Sequence, residues 1–230
     1  MGMGLTASRK AGGKMENSLG ALAHVGRKTI LCFGDSLTAG YRSGGRPDTP
    51  YSDRLACRLE QSCPDGPPEV VNAGISGETT AGMLKRLPRL LRKDSEGDKR
   101  LLDTLPDVVL ILGGTNDLAR GQSPEQIVQN LRELHSLAHE AGAVTGVITI
   151  PEFFLGPMQQ DHFREPREQV NAALRSMASE KGQQCFLVDL AIAFPQAEHP
   201  SLWDHDGVHF SSAGSSAFGD LLADARLPSI

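Results

Sequence analysis

Five short apolar runs mark the chain, separated by stretches whose apolar positions recur at three- and four-residue intervals. The runs KTILCF (28–33), EVVNA (69–73), DVVLILG (107–113), VTGVITI (144–150) and QCFLVDL (184–190) are nearly continuous in Val, Ile and Leu. Continuous apolar character, unlike strict alternation, predicts parallel strands covered on both faces. The intervening periodicity predicts helices over 51–61, 80–92, 124–141 and 164–181, and a last one over about 213–226. Ser123 followed by Pro124 reads as an N-cap and first-turn proline, and Gly142 closes that helix. Thr79 and Thr80 read as caps of the helix after the second run. Strand–helix alternation predicts an α/β protein, a three-layer α/β/α sandwich with a parallel five-stranded sheet and right-handed crossovers. Residues 1–27 read as a disordered tail and 28–230 as one domain. The charged segment 92–104 reads as a solvated excursion.

In such sheets ligands bind beyond the carboxyl ends of the strands, so the residues just past each run bear on the chemistry. The first run leads into Gly34-Asp35-Ser36-Leu37, the second into NAGISGETT (72–80) and the third into GGTNDL (113–118). The fifth leads, after a loop, into LWDHDGVHFSSAG (202–214). Together they supply a hydroxyl, N–H donors, an amide, a carboxylate and an imidazole, the inventory of acyl transfer. A serine hydroxyl is unreactive until a base takes its proton, and histidine is the side chain whose ordinary pKa suits that task. Each piece alone has a plainer reading. Gly-Asp-Ser is a common turn, Gly77 permits positive φ, and Asn116 caps or forms an Asx-turn. Asp206 and His209 read alone as a surface turn and a satisfied histidine. Their occurrence in order, on separate loops, favours the chemical reading.

These residues carry a resemblance to the SGNH, or GDSL-type, esterase and lipase family, and above all to its small bacterial thioesterase/lysophospholipase branch. FGDSLTAGY, VVNAGISGETT, LGGTND and DGVH resemble four blocks of that family, across about 29–222. The resemblance implies the family's flavodoxin-like strand order, with Ser36 as nucleophile, His209 as base and Asp206 orienting it. It implies an oxyanion hole from the N–H groups of Ser36 and Gly77 and the Asn116 amide. Asp35 and Asp117 are read as loop supports through backbone N–H bonds. The implied activity is cleavage of carboxylic esters, with thioesters and lysophospholipids compatible, on a small-molecule ester substrate and with no cofactor. The G-x-S-x-G elbow of α/β-hydrolases is absent. A metal-dependent hydrolase using Asp35, Asn116, Asp117 and the DHDGVH cluster, or a binding module on the same fold, are the alternatives. Transfer of the acyl group to an alcohol is open to the same site.

The loop PEFFLGPMQQDHF (151–163) is rich in Phe, Met and Pro. It reads either as a packed surface loop or as an acyl pocket beside Ser36 lined by Phe153, Phe154, Leu155 and Met158. His135 and His139, i and i+4 on one helix, have a zinc-compatible spacing but no evident third ligand, and read as a solvated or half-buried face with no metal. A net charge of −5 and 5% aromatic residues argue against nucleic-acid binding. No apolar run approaches the ~20 residues of a membrane span. Cys32, Cys57, Cys63 and Cys185 show no C-x-x-C spacing, which suits a reducing, cytoplasmic setting. The start MGMGLTAS fits the N-myristoylation pattern in two registers, making Gly2 or Gly4 an acceptor if the source is eukaryotic.

Overall fold

The computed structural model describes residues 26–63, 66–91, 102, 104–154, 162–225 and 227. Gly2 and Gly4, Leu155 and Met158, and most of the charged segment 92–104 lie outside the described residues. Five parallel strands form one sheet: β1 (Thr29–Gly34), β2 (Glu69–Gly74), β3 (Val108–Leu112), β4 (Val144–Ile148) and β5 (Cys185–Val188). Their order, β2-β1-β3-β4-β5, is the flavodoxin-like one. The chain steps from β1 outward to β2 and then crosses back to β3. The carboxyl ends of β1 and β3 therefore flank the topological switch point, where open α/β sheets bind ligands.

Along the central strands the side chains alternate between two cores. Leu31 and Phe33 of β1 face one layer with Val109, Ile111 and Val147. Ile30 and Cys32 face the other with Leu110, Leu112 and Val188. On the first face lie helices α3 (Thr80–Leu90), α5 (Pro124–Glu140) and α6 (Arg164–Lys181), through Met83, Leu134 and Leu174. On the second lie α2 (Tyr51–Ser62) and α8 (Ser212–Asp224), whose Tyr51 and Phe218 rings pack with centroids 4.3 Å apart. Burying one such side chain is worth about 1.5–3 kcal/mol. Double coverage explains why β1 and β3 lack a polar face.

Three one-turn helices at strand ends are not visible in the periodicity: α1 (Ser36–Ala39), α4 (Thr115–Ala119) and α7 (Leu190–Ala193). They are too short to show a repeat. The Ser123 side chain accepts from the Gln126 N–H, and Gly142, at φ +90°, ends α5. Thr79 caps α3 through the Gly82 N–H, but Thr80 does not share that role. It is fully buried, and its hydroxyl donates to Asp117 at 2.6 Å. A buried hydroxyl must find partners, and this one donates to the buried carboxylate while its oxygen accepts the Asn130 amide at 2.9 Å instead of a helix N–H.

Two glycines let the turn into α1 close. A Cβ at Gly34 would lie 2.3 Å from the Leu112 carbonyl oxygen, and one at Gly74 would lie 2.1 Å from the Ala39 nitrogen. Neither position has room for a side chain, because α1 turns directly across the ends of β2 and β3.

Candidate active site

Ser36 sits at the first position of α1, immediately beyond β1, and is buried. Asp35 starts the turn by accepting the Leu37 N–H on its side chain at 3.0 Å. Helix geometry gives the Ser36 N–H no partner inside α1. The Ser36 hydroxyl lies 2.9 Å from His209 Nε2, across 173 residues of sequence. His209 Nδ1 lies 2.8 Å from Asp206 Oδ2. The other carboxylate oxygen, Oδ1, accepts the N–H groups of Val208 and His209, each at 2.9 Å. Burial raises the Asp206 carboxyl, but these N–H bonds and the imidazole outweigh it and hold the group below the usual carboxylate range. It therefore stays ionised beside the imidazole.

The 203–210 loop is held by its own ends. Trp203 and Phe210 form an isolated antiparallel bridge, and their rings lie 4.7 Å apart. The Asp204 N–H donates to the His209 carbonyl at 2.7 Å. Ser211 then caps α8 through the Gly214 N–H. Buried Asp204 reaches the facing loop, accepting Arg46 Nη1 at 2.9 Å and the Ser43 N–H at 3.2 Å. Tyr41 lies edge-on to the His209 ring at 4.6 Å.

Gly77 adopts φ +77° in the loop after β2, with open space where a Cβ would stand. Its carbonyl accepts Arg120 Nη2 at 2.9 Å, which fixes the peptide beside it. Asn116, in α4, directs its amide nitrogen to the Glu78 carbonyl at 3.1 Å and to Asp35 Oδ2 at 3.3 Å. Asp117 accepts the Thr80 N–H at 2.9 Å as well as its hydroxyl, tying α4 to the start of α3. Asp35 is fully buried, and its carboxyl is pushed up to about 7. Burial is the main cause. The Leu37 N–H and the Asn116 amide oppose it, and the charges of Asp117 and Glu78 add to it.

The fold thus brings Ser36, Asp206, His209, Asn116, Asp35 and Asp117 to the carboxyl edge of the sheet, with Gly77 in the adjoining loop. The Phe-rich loop behaves differently. Phe153 is buried in the core and stacks on Phe163 at 4.8 Å. Phe153 and Phe154 line a cavity of about 460 Å³ together with Glu152, Phe163, Arg167 and Gln196. Neither Ser36 nor His209 lines it. Its link to the carboxyl edge of the sheet is Gly207, whose carbonyl accepts the Phe154 N–H at 2.9 Å and Gln196 Nε2 at 3.0 Å.

Sequence reasoning missed Arg86. Its guanidinium pairs with Glu78, donates to the Ala73 carbonyl at 2.9 Å and to the Gly34 carbonyl at 3.3 Å, and lies 4.2 Å from the Phe33 ring centroid. It clamps together the ends of the strands that carry the Ser36 and Gly77 loops. An arginine on an amphipathic helix reads as a solvated face, so no local signal pointed to it.

The model of the GDSL-like lipase/acylhydrolase family matches residues 32–217, and the chain belongs to that family of ester-cleaving hydrolases. It is 35% identical over 124 residues to an arylesterase of Vibrio mimicus, a match covering 50% of each chain, so it spans about half the length of that relative. It is 28% identical over 204 residues to the thioesterase 1/protease 1/lysophospholipase L1 of Escherichia coli K12, covering 87% of this chain and 84% of the relative. Among solved structures, the lipase/acylhydrolase from Enterococcus faecalis is similar, with a TM-score of 0.66 and 27% identity over 86% of this chain and 94% of that one.

Proposed function

We propose that the chain is a serine hydrolase that cleaves small carboxylic esters, thioesters included, through an acyl-enzyme on Ser36. The observation that carries the reading is the relay Asp206–His209–Ser36, with contacts of 2.8 and 2.9 Å. Ser36 Oγ attacks the carbonyl carbon while His209 Nε2 takes its proton, and His209 then returns that proton to the departing alcohol or thiol. Water, deprotonated by the same imidazole, releases the acid. Ionised Asp206 holds the tautomer that leaves Nε2 free and stabilises the imidazolium. The N–H groups of Ser36 and Gly77 and the Asn116 amide receive the developing oxyanion. For Asn116 this means trading its longer bond, the one to Asp35, for the oxyanion. The names of the relatives, arylesterase and thioesterase 1/protease 1/lysophospholipase L1, support an ester or thioester substrate.

A metal-dependent hydrolysis at the same edge is disfavoured because its carboxylates are already engaged. Asp117 is bound by Thr80, Asp204 by Arg46 and Ser43, and Asp206 by His209 and Val208. No helix among the described residues is long and apolar enough to cross a membrane. Four free cysteines suit a reducing compartment, the cytoplasm, as the working location.

The test is a fluorophosphonate probe together with turnover of short-chain ester and acyl-thioester substrates. Wild type should be labelled stoichiometrically and turn over, and Ser36→Ala should do neither while keeping its circular dichroism. Absence of labelling in folded wild type, or ester turnover retained in Ser36→Ala, would refute the reading.

A further inference from the structure

The helical spacing of His135 and His139 supplies two ligands of an incomplete set, and the fold supplies the rest. His135 is buried rather than solvated, because α5 turns it onto the sheet. There it meets Thr145 of β4, whose hydroxyl lies 2.8 Å from His135 Nδ1 and 2.9 Å from His139 Nε2. Cys185, paired in register with Thr145 on the neighbouring strand, places Sγ 3.3 Å from the same hydroxyl and 3.6 Å from His139 Nε2. The ligand atoms of the two histidines and the cysteine all lie within 4.8 Å of one another.

We propose that His135, His139 and Cys185 form a binding site for a zinc-type divalent cation, the Thr145 hydroxyl giving up its hydrogen bonds to them when the ion enters. Tetrahedral zinc with Zn–N near 2.05 Å and Zn–S near 2.3 Å separates its nitrogen and sulfur ligands by about 3.6 Å. The distance from Cys185 Sγ to His139 Nε2 is 3.6 Å. Two imidazoles and a thiolate are the ligand types of borderline-soft cations, not of calcium or magnesium. Burial, the His139 ring and the Lys181 ammonium hold His135 far below its usual value, so it is neutral, the form that ligates. His139 is lowered as well, chiefly by its burial, with Lys181 adding, and the ring also bonds to the backbone of Gln184. A hydrogen bond of that kind is what orients a metal-bound imidazole. Burial outweighs the Thr145 hydroxyl and Lys181 and holds the Cys185 thiol above its usual value, so an entering cation must displace its proton.

The cluster lies at the amino ends of β4 and β5, whereas Ser36 follows the carboxyl end of β1. The ion would therefore lock α5 to the β4–β5 edge without entering the hydrolytic chemistry.

The experiment uses the full chain, stripped with chelator and titrated with zinc alone and with cobalt as a spectroscopic stand-in. One equivalent of zinc should bind and raise the melting temperature. Cobalt should show a thiolate charge-transfer band that disappears in Cys185→Ser. In His139→Gln, a half-buried position that tolerates substitution, zinc affinity should fall by more than the roughly 100-fold that losing an outer-shell partner costs. Fluorophosphonate labelling of Ser36 should be the same with and without zinc. No zinc binding by folded wild type, or one equivalent bound equally well by both variants, would overturn the proposal. The cluster would then be a hydrogen-bond network, or zinc would sit on other groups such as exposed Cys57.

Discussion

Replacing Asp35 by asparagine should change how stability depends on pH, and the size of the change follows from its surroundings. The carboxyl is fully buried, accepts the Leu37 N–H at 3.0 Å and the Asn116 amide at 3.3 Å, and lies in the field of Asp117 and Glu78. It titrates at about 7 in the folded chain. In the unfolded chain an aspartate titrates at about 3.9. Between these values the folded state holds a proton that the unfolded state has released, so stability falls as pH rises. The contribution is fully present below about pH 4 and is lost by the time pH has passed about 7. Three pH units at about 1.4 kcal/mol each make the loss about 4 kcal/mol. Asparagine cannot ionise, and its carbonyl oxygen can still accept the Leu37 N–H. The stability of Asp35→Asn relative to wild type should therefore climb by about 4 kcal/mol from pH 4 to pH 8 and then level off. Urea denaturation of both proteins at half-unit pH steps measures this, and titrating groups that do not interact with Asp35 cancel in the difference. Parallel stability curves would refute the reasoning and mean that water or a rearrangement solvates the carboxylate.

Three further outcomes follow from the site and its support. Asn116→Ala should lower kcat by about 100- to 1,000-fold, the usual cost of one oxyanion donor, with KM little changed. Unchanged turnover in steady-state assays would remove Asn116 from the hole. Asp206→Asn should keep the fold but lower kcat by about 10,000-fold, since the amide holds the imidazole in the wrong tautomer. Turnover within tenfold of wild type would show that the 2.8 Å contact to His209 is dispensable. Gly34→Ala puts a methyl group 2.3 Å from the Leu112 carbonyl and the Thr38 hydroxyl, and should cost several kcal/mol of stability or abolish soluble expression, on the order of severe overpacking. A melting temperature equal to wild type would show that α1 can shift away from β3.

The layout of the chain was legible because its signals are local. Leu31 and Phe33 face one core and Ile30 and Cys32 the other, so β1 reads as one continuous apolar run. The helices starting at Tyr51, Thr80, Pro124 and Arg164 begin where periodicity and caps place them. The site blocks were legible for a related reason. Ser36 and Asn116 each lie in the first turn of helix beyond a strand, and a parallel sheet delivers all its carboxyl ends to one edge. The Phe-rich loop was harder to read. Phe153 answers to core packing against Phe163 and Phe154 to a backbone bond with Gly207, and composition cannot separate these demands from acyl binding.

By itself the sequence determined which segments are strands, which loops carry reactive groups, and the order in which those groups occur, since each depends on residues near one another in the chain. Only the tertiary structure decided what lies beside them. It set His209 Nε2 2.9 Å from Ser36, turned Arg86 from a surface residue into a clamp on two strand ends, and buried Asp35 deeply enough to move its titration. It also brought Cys185 of β5 to a pair of histidines 46 and 50 residues earlier. Burial and three-dimensional proximity set these electrostatic properties, and neither is a property of spacing along the chain.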